Sequence, residues 1–62
     1  MQEFRCYFLD QMDRIAAAED IKAPAVDSAV SLGLALLMQR RQMQLADIQE
    51  IEIWQGARKV YP

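Results

Sequence analysis

The sequence predicts a single α+β domain of order β-β-α-β-β, with one helix packed on one face of a mostly antiparallel four-stranded sheet. Three patterns carry this. Apolar and polar residues alternate at Phe4–Leu9 and again from Glu50 to Gln55, as in strands with one buried face. Between them, apolar residues recur at three- and four-residue steps from Val26 to Leu37, the period of an amphipathic helix. Gly56-Ala57 then divides two short strand-like runs in the manner of a two-residue hairpin turn.

Each element follows from local chemistry. In the first strand, Phe4, Cys6 and Phe8 fall on one face, with Arg5, Tyr7 and Leu9 opposite. Asp10-Gln11-Met12-Asp13 supplies two aspartates whose carboxylates can accept hydrogen bonds from nearby backbone amides, so a hairpin loop is expected there. Residues 14 to 23 are ambiguous: Ala16-Ala17-Ala18-Glu19 favours helix, while Ile15, Ala17, Glu19 and Ile21 alternate. We read a strand with room for a bulge near Glu19 or Asp20. Pro24 disfavours helical geometry at Ala23, and a helix of two turns would be marginal alone.

Pro24 suits the first turn of the next helix, and Asp27 complements the positive end of its dipole. Val26, Ala29, Val30, Gly33, Leu34 and Leu37 form its core face, and Leu32, Leu36 and Met38 widen the apolar arc. Gly33 costs about 1 kcal/mol against alanine in a helix interior, a cost that makes sense if the backbone there lies close to the sheet. Arg40 and Arg41 complement the negative end of the dipole, and the helix is expected to close near Gln42, with a connector from Met43 to Asp47. In the last hairpin, Ile51 and Ile53 point inward while Glu50, Glu52 and Trp54 point outward. The turn at Gly56-Ala57 pairs Gln55 with Arg58, Trp54 with Lys59, Ile53 with Val60 and Glu52 with Tyr61.

Composition narrows the function. The chain has 62 residues, 53% of them apolar, so residues 1–62 form one small domain rather than a disordered segment. A core of this size yields only about 3–5 kcal/mol. There is one cysteine and no histidine, which excludes an intrachain disulfide and a Cys/His zinc site. Association with a second copy is then the expected source of extra stability. A net charge of −2 makes nucleic acid the less favoured partner, because polyanion binding draws on an excess of basic groups. The start, Met1 to Arg5, lacks the basic and apolar runs of a secretion signal, and Leu32–Met38 is too short to span a bilayer, so a cytoplasmic, non-membrane protein is expected.

No cofactor, metal or catalytic residue is expected. Cys6 points into the core, and Asp10 with Asp13, or Glu19 with Asp20, lacks the glycine-centred spacing of a calcium loop. The candidate site is an interface. Alternation places Arg5, Tyr7, Trp54, Lys59 and Tyr61 together on the face away from the helix, and aromatic rings with arginine are enriched at interface hot spots. The leading expectation is a non-enzymatic module that forms a homodimer. Two alternatives remain: Lys59 stacked on Trp54 within one chain, and a base-stacking surface for single-stranded nucleic acid, which Glu50 and Glu52 oppose.

The segments Phe4–Asp10, Arg14–Ile21 and Ile53–Tyr61 resemble small uncharacterised proteins of α-proteobacteria, with a strand-rich start, an alanine- and leucine-rich helix and a closing Trp-Gln-Gly segment. That resemblance covers nearly the whole chain and implies no assigned activity. The β-β-α part also resembles antitoxin domains of the HicB type, though without their glycine-rich second strand, and implies the alternative of a regulatory nucleic-acid-binding protein.

Overall fold

The computed structural model describes residues 1–43 and 47–62. Its elements run β1 (Gln2–Asp10), β2 (Ile15–Ala23), α1 (Val26–Met43), β3 (Ile48–Gln55) and β4 (Arg58–Tyr61), the expected β-β-α-β-β order. The sheet order is β2-β1-β3-β4, and every neighbouring pair is antiparallel. β2 and β3 flank β1 and run parallel to each other, so α1 crosses over β1 between them as the helix of a split βαβ unit. The ambiguous segment 15–23 is a strand because it gains a full partner in β1, from Gln2 opposite Ala23 to Leu9 opposite Ile15.

The first turn is built by Asp10. Its Oδ1 accepts from the backbone N–H of Met12 at 2.8 Å and of Arg14 at 3.0 Å, while Asp13 takes a left-handed φ of 59° that aspartate tolerates better than most residues. The Arg14 amide first, then the Met12 amide and the Arg14 charge, hold the Asp10 carboxyl below its ordinary pKa of 3.8. At the other end of the sheet, Gly56 has φ +60°, the backbone sign that the two-residue turn to β4 requires.

One face of the sheet meets α1. Phe4, Cys6, Phe8, Ile21, Ala23, Ile48, Ile51 and Ile53 are buried beneath Ala29, Gly33 and Leu37. Gly33 sits at the closest approach: a Cβ there would stand 2.9 Å from the Cδ1 atoms of both Ile51 and Ile53 and 3.4 Å from the Cys6 Sγ. Arg40 does more than complement the helix dipole. Its guanidinium meets Glu19 of β2 at 2.9 Å and lies 4.6 Å from the centre of the Phe8 ring, closing the core where α1 ends over β2 and β1.

Several expectations are corrected. Pro24 precedes the helix rather than lying in its first turn; Ala25 caps it, its carbonyl accepting from Ala29 N–H at 3.1 Å. The bulge in β2 falls at Ala16, opposite the Phe8–Leu9 step, and not at Glu19 or Asp20, which keep regular pairs with Cys6 and Arg5. Leu34 is 39% exposed while Leu36 packs on the core. Helical geometry explains the exchange, since one residue past Gly33 turns about 100° from its direction whereas three residues past returns within about 60° of it. The expected connector from Met43 to Asp47 falls largely on residues 44–46, outside the described residues; Met43 itself ends α1.

Two measurements probe this frame. Substituting Gly33→Ala gains about 1 kcal/mol of helix propensity against overpacking of about 1–3 kcal/mol, so chemical denaturation should show a net loss near 1 kcal/mol. Gly33→Val adds two more methyls without the propensity gain and should lose about 3 kcal/mol or more. For Asp10, the folded pKa lies below the unfolded one, so its contribution is present above about pH 4 and is lost as pH falls through the folded value. Acid titration of Asp10→Asn should accordingly show a shallower fall in stability below about pH 4 than the parent chain.

Candidate functional site

The face of the sheet turned away from α1 carries a connected set of side chains across all four strands. Alternation sends Arg5, Tyr7 and Leu9 of β1 there, with Asp20 of β2, Glu52 and Trp54 of β3, and Lys59 of β4. Register places them: Arg5 lies between Asp20 and Trp54, Trp54 lies opposite Lys59, and Tyr7 lies opposite Glu52. Tyr7 and Trp54 are therefore diagonal neighbours. Their rings meet edge to face, with centroids 6.4 Å apart and planes at 85°, a geometry worth about 0.5–1.5 kcal/mol beyond area burial.

The polar groups around this pair are already engaged with one another. Arg5 Nη1 meets Asp20 Oδ1 at 2.7 Å, and its guanidinium carbon lies 5.9 Å from the Tyr7 ring centre. The Trp54 Nε1–H donates to Glu52 Oε1 at 3.0 Å, and Lys59 Nζ lies 3.6 Å from Glu52 Oε2. Glu52 thus neutralises Lys59 and satisfies the indole at once. The rings of Tyr7 and Trp54 are half-buried, and Leu9, next along the same face of β1, is 6% exposed although it lies outside the core cluster beneath α1.

Four of the five expected interface residues, Arg5, Tyr7, Trp54 and Lys59, come together here. Tyr61 does not. The β3–β4 register holds for Gln55 with Arg58 and Trp54 with Lys59, then shifts by one so that Tyr61, not Val60, lies opposite Ile53. Val60 is the extra residue of the bulge, and Tyr61 packs against the core cluster from the short edge strand. Lys59 is held by Glu52, and the cation set over a ring on this face is Arg5 over Tyr7. Leu9 and Asp20 complete the surface but were absent from the sequence-based set; the only sequence signal for Asp20 was the register of a strand whose bulge was placed elsewhere.

Other candidate chemistry is occupied or enclosed. Glu19 and Asp20 point to opposite faces, the first to Arg40 and the second to Arg5. Among the described residues, no group of three or more His, Cys, Asp or Glu side chains is placed to hold a metal ion, and no helix is long and apolar enough to cross a membrane. Beside Arg5, an open cleft of about 500 Å3 is lined by Glu3 and Asp20 as well as Arg5 and Lys22. With both signs present, the cleft offers no excess charge to a phosphate. Cys6 is fully buried, and burial, reinforced by the Glu19 charge, pushes its thiol up to about 11.

No family model matches the chain, and neither does any curated protein or solved structure. The surface must be read from its own geometry.

The Cys6 result has a direct check. A thiol that is enclosed and protonated reacts only when the core opens. Alkylation at pH 8 should run orders of magnitude slower than for the unfolded chain and should accelerate in step with denaturant; a native rate near that of a free thiol would contradict the enclosed position.

Proposed function

We propose that this protein is a non-enzymatic interaction module that self-associates through the open face of its sheet, centred on Tyr7 and Trp54. The observation that carries the reading is that a single helix covers one face of the sheet, while the other holds an edge-to-face aromatic pair whose surrounding charges are neutralised within the chain. The pairing of Arg5 with Asp20 and of Lys59 with Glu52 lowers the cost of bringing two such faces together, because fewer unpaired ions must be stripped of water. The same pairing works against nucleic acid. Arg5 and Lys59 each sit beside a carboxylate, and Glu50 shares their face, so few cations are free to replace counterions on phosphates. The regulatory nucleic-acid-binding or antitoxin-like alternative therefore finds no support in the arrangement of this face. A reduced, buried Cys6 suits the cytoplasm as the place where the module works.

Size sets the strength. The Cα trace extends 30 × 21 × 15 Å, so its broad face has a footprint of at most about 600 Å2, and two copies would bury about 1,200 Å2 in total, the low end for a specific interface. A dimer held by this face alone should be weak, with a dissociation constant on the order of micromolar or above. Sedimentation velocity between about 1 μM and 1 mM should show monomer passing to dimer as concentration rises. Trp54→Ala should raise the dissociation constant by roughly thirtyfold, the equivalent of about 2 kcal/mol for a hot-spot aromatic. Wild-type protein that stays monomeric at the top of that range, or a Trp54→Ala chain that associates equally well, would remove the reading.

A further inference from the structure

The sheet has two edges, and they are unequal. β4 is four residues long and runs directly into Pro62, which has no N–H to offer a neighbour. β2 is nine residues long, pairs among the described residues only with β1, and so leaves one row of backbone N–H and C=O groups along its outer side. We propose that this outer edge of β2 is a seam between two copies of the chain, which pair antiparallel about a two-fold axis at Ile21 to make one continuous eight-stranded sheet. The proposal deepens the self-association reading and rests on it only in taking a second copy as the occupant.

The charge pattern of β2 selects both the occupant and the register. The bulge at Ala16 reverses sidedness, so the regular edge runs from Ala17 to Ala23. Along it Ala18, Asp20 and Lys22 face the open side with Tyr7, Arg5 and Glu3, while Ala17, Glu19, Ile21 and Ala23 face the helix side with Phe8, Cys6 and Phe4. Residues directly opposite in an antiparallel pair share a face, so a two-fold pairing must be centred on a single residue of this stretch. Three centres give five or more opposed pairs. Centring on Glu19 sets two Glu19 carboxylates against each other, and centring on Asp20 does the same with Asp20, which like-charge repulsion disfavours. Centring on Ile21 instead sets Asp20 against the partner's Lys22 twice over, and brings the two Ile21 side chains together on the helix side.

The cross-strand neighbours extend this complementarity. Asp20 already meets Arg5 at 2.7 Å, and Lys22 lies in register with Glu3. Across the seam the row therefore reads Arg5, Asp20, the partner's Lys22, the partner's Glu3, with signs alternating throughout. Charges on an edge strand ordinarily repel a second copy; here one register turns the two on the open side, Asp20 and Lys22, into attractions. Both helices then lie on one side, and the two open faces merge into one. The merged surface has a footprint of about 1,200 Å2, so two such pairs meeting face to face would bury about 2,400 Å2, enough for the stable contact that a single open face lacks.

Charge-reversed variants test the seam. Asp20→Lys and Lys22→Asp should each weaken dimer formation by roughly tenfold to hundredfold in sedimentation equilibrium, because two opposite-charge pairs become two like-charge pairs. Mixed in equal amounts they should associate again as a heterodimer, since one chain then presents two cations where the other presents two anions. A misfolded variant would not regain association on mixing, so that result separates loss of contact from loss of fold. Hydrogen exchange of the wild-type protein should show the outward-facing backbone amides within Glu19–Ala23 slowing as concentration rises. Trp54→Ala should leave this protection intact while weakening assembly through the open face by roughly thirtyfold. A mixture that remains monomeric, or β2 amides that exchange equally fast at all concentrations, overturns the seam. Association lost in Trp54→Ala but untouched by either charge reversal overturns the seam while upholding the open face, and a wild-type chain that never associates overturns both.

Discussion

At Gly33 the helix backbone comes so near the sheet that a single methyl group would press on the ends of Ile51 and Ile53 together, with the Cys6 sulfur just beyond. Most of the domain's arrangement follows from that approach. It sets α1 over β1 and β3, so the residues beneath it must be those whose alternation points them inward: Phe4, Cys6, Phe8, Ile51 and Ile53. It also leaves Leu34 and Met38 turned toward solvent, because a helix held this close to a narrow sheet can bury only the arc facing it. The far end of the helix is tied down by different means. Arg40 spans from Glu19 to the Phe8 ring, so a charged residue finishes what the apolar face begins.

The same restriction governs the opposite face. The described residues form one helix, and one helix covers one side of a four-stranded sheet. The side left open carries aromatic rings because β1 and β3 have them at outward positions, and the charges beside those rings are paired within the chain. Asp20 with Arg5, and Glu52 with both Trp54 and Lys59, form local pairs that stretch from one edge of the sheet to the other. Exposed pairs of this kind contribute little stability. Their consequence is electrostatic: they flatten the potential of the face and leave shape, ring edges and strand register as the means of recognition.

Most of this frame was legible in the residues themselves. Alternation at Phe4–Phe8 and at Ile51–Ile53, the recurrence at Ala29, Gly33 and Leu37, and the turn at Gly56 each express a backbone period or a φ sign, and each survives folding unchanged. What could not be read was where the period breaks. Ala16 and Val60 are both extra residues relative to a neighbouring strand, and a bulge depends on two strands at once. Nothing in Arg58-Lys59-Val60-Tyr61 alone tells that the ladder shifts after Lys59. That single shift carried Tyr61 from the expected surface to the core side, and left Tyr7 and Trp54 as the aromatic pair.

The bulges at Ala16 and Val60 also divide the sheet's margins. At β4, the shift at Val60 turns Tyr61 against the core, and the strand ends at once against Pro62, so that margin is short and spent on packing. At β2, the bulge at Ala16 confines the regular edge to Ala17–Ala23 but leaves seven consecutive residues in register with β1. Its charges stand in an order that opposes like to like in two registers and sets Asp20 against Lys22 in the third. A sheet edge designed only to repel would carry one sign throughout; a mixed set on alternate faces discriminates among registers instead, which is the property an edge needs if it is to accept one particular neighbour.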